Sequence, residues 1–493
     1  MNSKIYLRAD GNKEIGHGHI SRLLALADYL KEVCNPILLT SDSSEKVVKS
    51  ARQYCQEIIK IPQFENLEEE ADYLTDYYLK KSDIIVLDGY QYNSSYQKTI
   101  KSSGCQLICI DDLNEYKFEA DYVINPAGGI DVKAYRKRFY TNILSGPTYA
   151  LLKKPFIERS KNRTKFKDNK EVLICLGGSD ITNQTQHVLG VLEKHGAYKT
   201  CHVVVGSSYP YLAQLQEYIK NAAISVHLYS NLSAQEMVQV MSKSAIAVCS
   251  ASTISYEYCC VGGILYLVKS ADNQQGIYNY LIAANLAIPF SNISPEADYH
   301  RLVENQKKTF NGDQPLKYLN LIQELQNNTE ISVRDIQEND LLVLFNWAND
   351  KEVRSNALNT ESISLENHKK WFYSKINQGK SKLFIAERSK EPVGQVRFDL
   401  VNGCYVIDYS VDSKFRGKGL GKLILKKAIA RLLSEKIENS TMVIIGEVRE
   451  SNVKSWKVFE NLNFVFVDLK EHNGVKLRVY KLTLSCDEKN NNS

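Results

Sequence analysis

Short apolar segments recur through the first two thirds of the chain, each separated from the next by a helical pattern, and this alternation restricts the fold most. Ile5-Leu7, Ile37-Leu39, Ile84-Leu87, Leu107-Ile110 and Tyr122-Ile124 form one series. A basic connector, 161–170, precedes a second series: Val172-Leu176, His202-Val205, Ile246-Cys249 and Ile264-Leu267. Wholly apolar strands that alternate with helices are covered on both faces, which means parallel sheets built from βαβ units. The expectation is α/β, with two Rossmann-like doubly wound domains at 1–155 and 156–310 facing a cleft. Ligands in such sheets bind at the carboxyl ends of the strands. A polar linker helix is expected at 311–330. From 331 to 486 the order changes. Helices near 338–350 and 365–377 precede strands near 382–387, 392–399 and 404–411. A glycine-rich turn, a long helix and a strand near 441–446 complete a separate α/β domain. The tail, 487–493, reads as disordered.

Length agrees, since 493 residues at roughly 150 per domain make about three domains. The net charge of +5 is small and its surplus sits in the C-terminal third, too weak for a general nucleic-acid binder. The eleven cysteines are scattered, odd in number and without a Cys-x-x-Cys spacing, which fits a reduced, cytoplasmic chain. Met1-Asn2-Ser3-Lys4 runs straight into an apolar strand, so no signal peptide is expected. The stretch 245–268 holds Glu257 and Gly262-Gly263, so it reads as strand, turn, helix and strand and not as a membrane span. Neither a membrane nor a nucleic-acid partner is expected.

The loop after the first strand carries chemistry. Arg8-Ala9-Asp10 leads to Ile15-Gly16-His17-Gly18-His19 and Arg22, then to an amphipathic helix with Leu23, Leu24, Leu26, Ala27 and Leu30 on its apolar face. His19 falls at a helix N-terminus, where the dipole disfavours imidazolium. A neutral histidine suits a general base, and Asp10 is the candidate to orient its ring. A helix-capping histidine beside a turn fits these residues equally. No third ligand group accompanies His17 and His19, so no metal is expected. The glycine spacing also lacks the third glycine of the dinucleotide fingerprint.

The longer string Arg-Ala-Asp…Ile-Gly-x-Gly-His-x-x-Arg resembles the opening of the bacterial UDP-sugar hydrolases of pseudaminic acid biosynthesis. Those enzymes act on UDP-2,4-diacetamido-2,4,6-trideoxy-β-L-altropyranose. Asp88-Gly-Tyr90, Asp111-Asp112-Leu113, Asn125, Gly146-Pro-Thr-Tyr149-Ala-Leu-Leu and Gly177-Gly178-Ser179-Asp180 follow in the same order. The resemblance covers about residues 1–310. It implies that His19, not His17, activates water, that Gly18, Arg22 and Tyr90 meet the UDP-sugar, and that no metal takes part.

A nucleotide cradle is expected in the second sheet. Strand Val172-Leu176 ends in Gly177-Gly178-Ser179-Asp180, and Ile246-Cys249 ends in Ser250-Ala251-Ser252-Thr253, with Glu257 on the helix beyond. Small residues there let backbone N–H groups approach a pyrophosphate at a helix N-terminus. Glu257 can accept from ribose hydroxyls, and Asn273 and Gln274 add polar side chains at the same edge. Tight packing explains any one glycine pair alone. Together these segments resemble the nucleotide half of GT-B proteins, including the N-acetylglucosaminyl transferase of peptidoglycan synthesis. A GT-B arrangement is therefore expected, with UDP held by Gly177, Gly178, Asp180, Ser252, Thr253, Glu257, Asn273 and Gln274. That fold alone permits a glycosyltransferase as readily as a hydrolase.

The C-terminal domain has its own signature. Strand 404–411 leads into Asp412-Ser-Lys414-Phe-Arg416-Gly417-Lys418-Gly419-Leu420-Gly421 and a helix, which resembles the acetyl-CoA loop of the GNAT superfamily. The resemblance implies an acetyl-CoA co-substrate against Val411, Arg416, Gly417, Lys418, Gly419, Leu420, Gly421 and Asn452. Two departures stand out: Phe459 replaces the tyrosine that often protonates the leaving thiolate, and Asn463 replaces a glycine. Tyr409, Tyr480 or water is left to supply that proton. Glu447 matches a base position in ribosomal-protein alanine acetyltransferases and equally fits a surface-strand glutamate. Segments 347–354 and 363–371 look like the acceptor end of pseudaminic-pathway sugar N-acetyltransferases, although Trp347, His368 and Trp371 also suit a core.

The two resemblances meet in one pathway, because the acetyltransferase product there is the hydrolase substrate. The expectation is a bifunctional enzyme that acetylates the 4-amine of UDP-4-amino-4,6-dideoxy-N-acetyl-β-L-altrosamine and then hydrolyses the product with inversion. A GT-B glycosyltransferase joined to a protein N-acetyltransferase, and a non-catalytic nucleotide-sugar sensor, remain open. Oligomeric state is not fixed by the residues.

Overall fold

Both apolar series become parallel sheets in the structure, a computed structural model that describes residues 3–11, 18–41, 44–163, 169–177, 180–206, 208–269, 274–294, 299–377, 379–435 and 441–485. Gly178 and Asn273, together with His17 and the tail, lie outside the described residues. Contacts divide the chain into two units, Met1–Glu324 and Leu325–Ser493.

The first unit holds two doubly wound sheets. One contains β1 (Ile5–Arg8), β2 (Pro36–Thr40), β3 (Glu57–Lys60), β4 (Ile84–Asp88), β5 (Gln106–Ile110), β6 (Tyr122–Asn125) and β7 (Asn142–Ser145). Their order is β3-β2-β1-β4-β5-β6-β7, with every pairing parallel. The other contains β8 (Glu171–Cys175), β9 (Thr200–Val205), β10 (Ser225–Ser230), β11 (Ile246–Ser250), β12 (Ile264–Val268) and β13 (Ile288–Pro289). It runs β10-β9-β8-β11-β12-β13, again parallel throughout. Each sheet reverses its winding beside its first strand, between β1 and β4 and between β8 and β11. The strands flanking these points are apolar and buried, as the sequence pattern requires.

Gly128 lies against the ring of Tyr280, where a Cβ would come within 2.2 Å of the ring carbons. It thereby joins the loop after β6 to the helix Gln275–Ala283 of the other sheet. The helix His300–Thr309 and the start of the helix Gln314–Thr329, which continues past Glu324, end the first unit. Tyr318 is buried there, with its hydroxyl donating to the Tyr149 carbonyl at 2.6 Å. Segment 245–268 forms β11, the helix Thr253–Val261 and β12. Among the described residues, no helix is long and apolar enough to cross a membrane.

The second unit is a single mixed sheet. Its strands are β14 (Ile331–Asp335), β15 (Ser381–Arg388), β16 (Glu391–Val401), β17 (Cys404–Val411), β18 (Thr441–Arg449), β19 (Val465–His472) and β20 (Val475–Ser485). The order is β14-β15-β16-β17-β18-β20-β19, antiparallel except for β17 and β18. That parallel pair runs only from Tyr405↔Ile444 to Ile407↔Gly446. Beyond it β17 continues to Val411 and β18 to Arg449, so the two strands part and leave a gap in the middle of the sheet. The helix Leu420–Ser434 packs its apolar face, Leu423, Ile424, Leu425, Ala428, Ile429 and Leu432, over β14 to β17. The helix expected near 338–350 is broken. A short turn precedes Leu341–Ala348, and Asp350 then starts a new helix, Lys351–Asn356, by accepting from the backbone N–H of Glu352 and Val353.

Candidate active sites

At the reversal point of a doubly wound sheet neighbouring loops diverge and leave a crevice. His19 follows β1 and Asp88 ends β4, so this crevice brings them together, with His19 Nδ1 2.7 Å from Asp88 Oδ1. His19 is buried and Asp88 fully so. An acceptor oxygen at that distance takes the hydrogen on Nδ1 and leaves Nε2 with its lone pair. Arg22, one turn along the helix Gly18–Leu30, holds Asp88 through Nε at 2.9 Å and Nη2 at 2.7 Å, and reaches Asp112 at 3.1 Å. Its Nη2 also lies 2.8 Å from His19 Nδ1. Two N–H donors do not bond each other, so that proximity follows from the carboxylate they share. Tyr90 stands edge-on to the His19 ring, centroids 4.7 Å apart, and donates to Asp112 at 3.4 Å. Burial, then Asp112, pushes the Tyr90 hydroxyl up to about 12. Gly18 is the exposed first residue of the helix, with open space around it.

Asp10 does not orient the histidine ring. Arg8 Nη1 lies 2.6 Å from it, and Thr40 Oγ1 and the Ser41 N–H donate to it at 3.0 and 2.8 Å. Against the upward push of burial, Arg8 and Ser41 hold the Asp10 carboxyl below its usual value. Arg8 itself is buried, with Nε and Nη2 both donating to Glu70 at 2.8 Å. Glu70 also accepts from Tyr96 at 2.7 Å. Residues two apart on an extended chain point the same way, and Asp10 follows Arg8 into this network, away from the ring. The partner is Asp88, the carboxylate that closes the strand neighbouring β1. It belongs to a motif visible in the sequence, yet its pairing depends on strand order. A second polar chain lies beside the site: Tyr135 donates to Asp111 at 2.7 Å and accepts from Asn125 at 2.8 Å.

The second sheet offers matching turns at its own reversal point. Gly177, φ +95, faces Ser250 at the end of β11, and Ser250 and Ser252 share a hydroxyl contact of 3.0 Å. Ser252 immediately precedes the helix Thr253–Val261 without a side-chain capping bond, Thr253 is exposed on its first turn, and half-buried Glu257 follows one turn later. Burial pushes the Glu257 carboxyl up to about 7, against a lowering by Lys153. Asp180 has another occupation. Its two oxygens accept from the backbone N–H of Gln184 and Thr185 at 2.9 and 2.7 Å, so the side chain caps the helix Gln184–His195 instead of facing a ligand. Gln274 is half-buried and precedes the helix Gln275–Ala283. Among the described residues no group of three His, Cys, Asp or Glu side chains is arranged to hold a metal.

In the second unit, the loop entering the helix Leu420–Ser434 lies at the mouth of the gap between β17 and β18. Gly417 and Gly419 adopt φ +77 and +75 with nothing near their Cβ positions, so backbone conformation is what requires glycine there. Lys418 lies over the Phe415 ring at 5.5 Å. Leu420 and Gly421 begin the helix, whose first N–H groups have no partner within the helix and can receive an anion. The Arg416 side chain is turned elsewhere. It donates to the Val411 carbonyl at 2.9 Å, to Asp350 at 2.7 Å and to Glu352 at 3.1 Å, strapping the loop to the helix Lys351–Asn356. Asn452 caps the helix Val453–Asn461 by accepting from the Ser455 N–H at 3.2 Å. Glu447 is the first β18 residue past the last pair with β17; it is exposed and lies 3.2 Å from Lys470. Trp347 is core, with its Nε1 donating to Asp412 at 2.7 Å, and His368 is buried against Phe345 and Trp371.

Comparison with known proteins separates the two units. An uncharacterized protein of Methanocaldococcus jannaschii is 25% identical over 94% of this chain and 96% of its own length. The UDP-2,4-diacetamido-2,4,6-trideoxy-beta-L-altropyranose hydrolase of Campylobacter jejuni is 26% identical over 56% of this chain and 96% of its own length. The spore coat polysaccharide biosynthesis protein SpsG of Bacillus subtilis is 26% identical over 54% of this chain and 77% of its own length. The acetyltransferase (GNAT) family model matches residues 344–464. With its parted parallel strands, glycine loop and following helix, the second unit of this mixed α/β chain is a GNAT acetyltransferase domain.

Proposed function

We propose that the chain is a bifunctional enzyme of nucleotide-sugar metabolism. The second unit transfers acetyl from acetyl-CoA to the 4-amine of UDP-4-amino-4,6-dideoxy-N-acetyl-β-L-altrosamine. The first then hydrolyses the diacetamido product to free sugar and UDP. The observation that carries the hydrolytic step is the buried His19–Asp88 pair. With its hydrogen fixed on Nδ1, His19 has Nε2 available to take a proton from water. That water attacks the anomeric carbon from the face opposite UDP, and the configuration inverts. UDP is a good leaving group, so the site needs to steady a pyrophosphate more than to donate a proton. The turns at Gly177 and Ser252 suit that task, and Glu257 suits the ribose. Similarity to the Campylobacter hydrolase over 56% of the chain supports the reading, as does similarity to the Methanocaldococcus protein over 94% of it.

In the acetylation step the helix at Leu420 receives the CoA pyrophosphate, and the parted strands receive the thioester arm. Glu447, at the edge of that gap, removes a proton from the sugar ammonium directly or through water.

The test is mass spectrometry of the full chain with the UDP-amino sugar, with and without acetyl-CoA. The expected result is an acetyl-CoA-dependent gain of one acetyl group followed by free UDP and diacetamido sugar. UDP release from pre-acetylated substrate alone would leave the hydrolase and remove the acetyltransferase. Transfer of the sugar to an acceptor other than water would replace hydrolysis by glycosyl transfer, and binding without turnover would indicate a sensor.

A further inference from the structure

Transfer of acetyl from CoA leaves a thiolate that must gain a proton, and Phe459 on the helix Val453–Asn461 has none to give. Phe459 is buried, stacked on Tyr480 with centroids 6.0 Å apart, and set against Gly446, where a Cβ would lie 2.8 Å from the ring. Two tyrosine hydroxyls surround it. That of Tyr480 is committed, donating to Glu460 Oε1 at 2.9 Å and accepting from Arg478 at 3.2 Å. That of Tyr409 is held differently. Ser455 Oγ donates to it at 3.1 Å, which uses the tyrosine oxygen and not its hydrogen.

The position of Tyr409 is equally specific. It lies on β17 two residues past the last pair with β18, at the opening between the parted strands. Its ring and hydroxyl lie 3.4 and 3.8 Å from the Cβ position of Gly421, in the first turn of the helix Leu420–Ser434. The Phe459 ring meets it edge-on at 6.0 Å. The hydroxyl thus stands between the helix that faces the pyrophosphate and the helix capped by Asn452.

We infer that Tyr409 is the proton donor to the departing CoA thiolate, an inference that rests on the acetyltransferase reading of this unit. The amine nitrogen attacks the thioester carbonyl and the C–N bond forms. The tetrahedral intermediate collapses, the C–S bond breaks, and sulfur takes the phenolic hydrogen of Tyr409 as its electron pair is released. The phenolate recovers a proton from solvent. The two protons lost by the attacking ammonium leave one on CoA and one in solution. Burial raises the Tyr409 hydroxyl above its usual value, so it keeps its hydrogen through neutral pH.

The experiment compares wild type, Tyr409→Phe, Ser455→Ala and Tyr480→Phe full chains in acetylation of the UDP-amino sugar. Acetyl-CoA affinity is followed in parallel by calorimetry. Tyr409→Phe is expected to lower kcat by about 10²-fold or more with acetyl-CoA affinity unchanged. It is also expected to abolish the fall in kcat at high pH that deprotonation of a donor produces. Ser455→Ala should lower kcat less, and Tyr480→Phe should keep it. A Tyr409→Phe enzyme that binds acetyl-CoA and retains wild-type kcat overturns the inference while leaving the acetyltransferase standing. A wild-type chain that binds acetyl-CoA but acetylates no amine overturns both together.

Discussion

Asp88 stands 69 residues from His19 in the chain, yet it decides which ring nitrogen carries hydrogen. Asparagine in its place keeps the shape and can present an N–H toward Nδ1. That moves the ring hydrogen to Nε2 and removes the base. Asp88→Asn is expected to lower UDP release roughly 10²–10⁴-fold with acetylation unchanged, read as UDP formed from pre-acetylated substrate. His19 was legible from its place after the first strand; its partner Asp88 was not. Asp10 is near in sequence and acidic, but the buried Arg8 claims it, and a buried guanidinium is invisible in a string whose neighbours look like an ordinary loop. Glu257, proposed as a ribose acceptor, was not legible as a weak acid. Its carboxyl, ordinarily near 4.5, is raised to about 7 by burial. Burial disfavours the charged form, so folded stability falls as pH rises from about 4.5 to about 7. Binding runs the other way, because ribose hydroxyls donate to the carboxylate. Between pH 6 and 8 the ionised fraction rises from about a tenth to about nine tenths, and UDP-sugar affinity should rise by up to about tenfold. Glu257→Gln should bind with no such slope, as titration calorimetry at several pH values would read.

Elements were legible where burial leaves a compositional mark. The central strands β1, β4, β8 and β11 are apolar on both faces and stood out. The edge strands β3 and β10 did not, since half their residues or more face outward and their sequences, Glu57–Lys60 and Ser225–Ser230, look like loop. Strand β19 was missed for the same reason, as all eight of its residues are exposed. The acetyl-CoA loop was legible because its glycines have a conformational cause. At Gly419, φ is +75 and the Cβ position is open, so alanine meets no atom and suffers only left-handed strain, about 1–2 kcal/mol. Gly419→Ala is therefore expected to weaken acetyl-CoA binding by about tenfold, measured by calorimetry, with UDP release from pre-acetylated substrate at its wild-type rate. An unchanged affinity would mean that the ligand does not need this loop conformation.

At the scale of the whole molecule, the residues assigned to hydrolysis all lie in Met1–Glu324 and those assigned to acetyl transfer all lie in Leu325–Ser493. Each proposed reaction thus draws on one unit alone. In the proposed scheme the compound passed between them is a UDP-sugar, a soluble dianion that each site would admit from water. Two defective full-length chains should then complement each other. His19→Ala retains the acetyltransferase and loses the base. Gly419→Asp puts a carboxylate in the loop proposed to receive the pyrophosphate, at a position with open space and a backbone that aspartate tolerates. It should lose acetylation and keep hydrolysis. Each chain alone, given the UDP-amino sugar and acetyl-CoA, is expected to release little UDP. Mixed, they should release it after a lag, with the acetylated UDP-sugar rising and falling in between by mass spectrometry. The rate should scale with the concentration of the slower chain. If the mixture stays inactive while each chain keeps its own half-reaction, the intermediate is not shared through solution, and joining the two steps in one chain serves to hand it over.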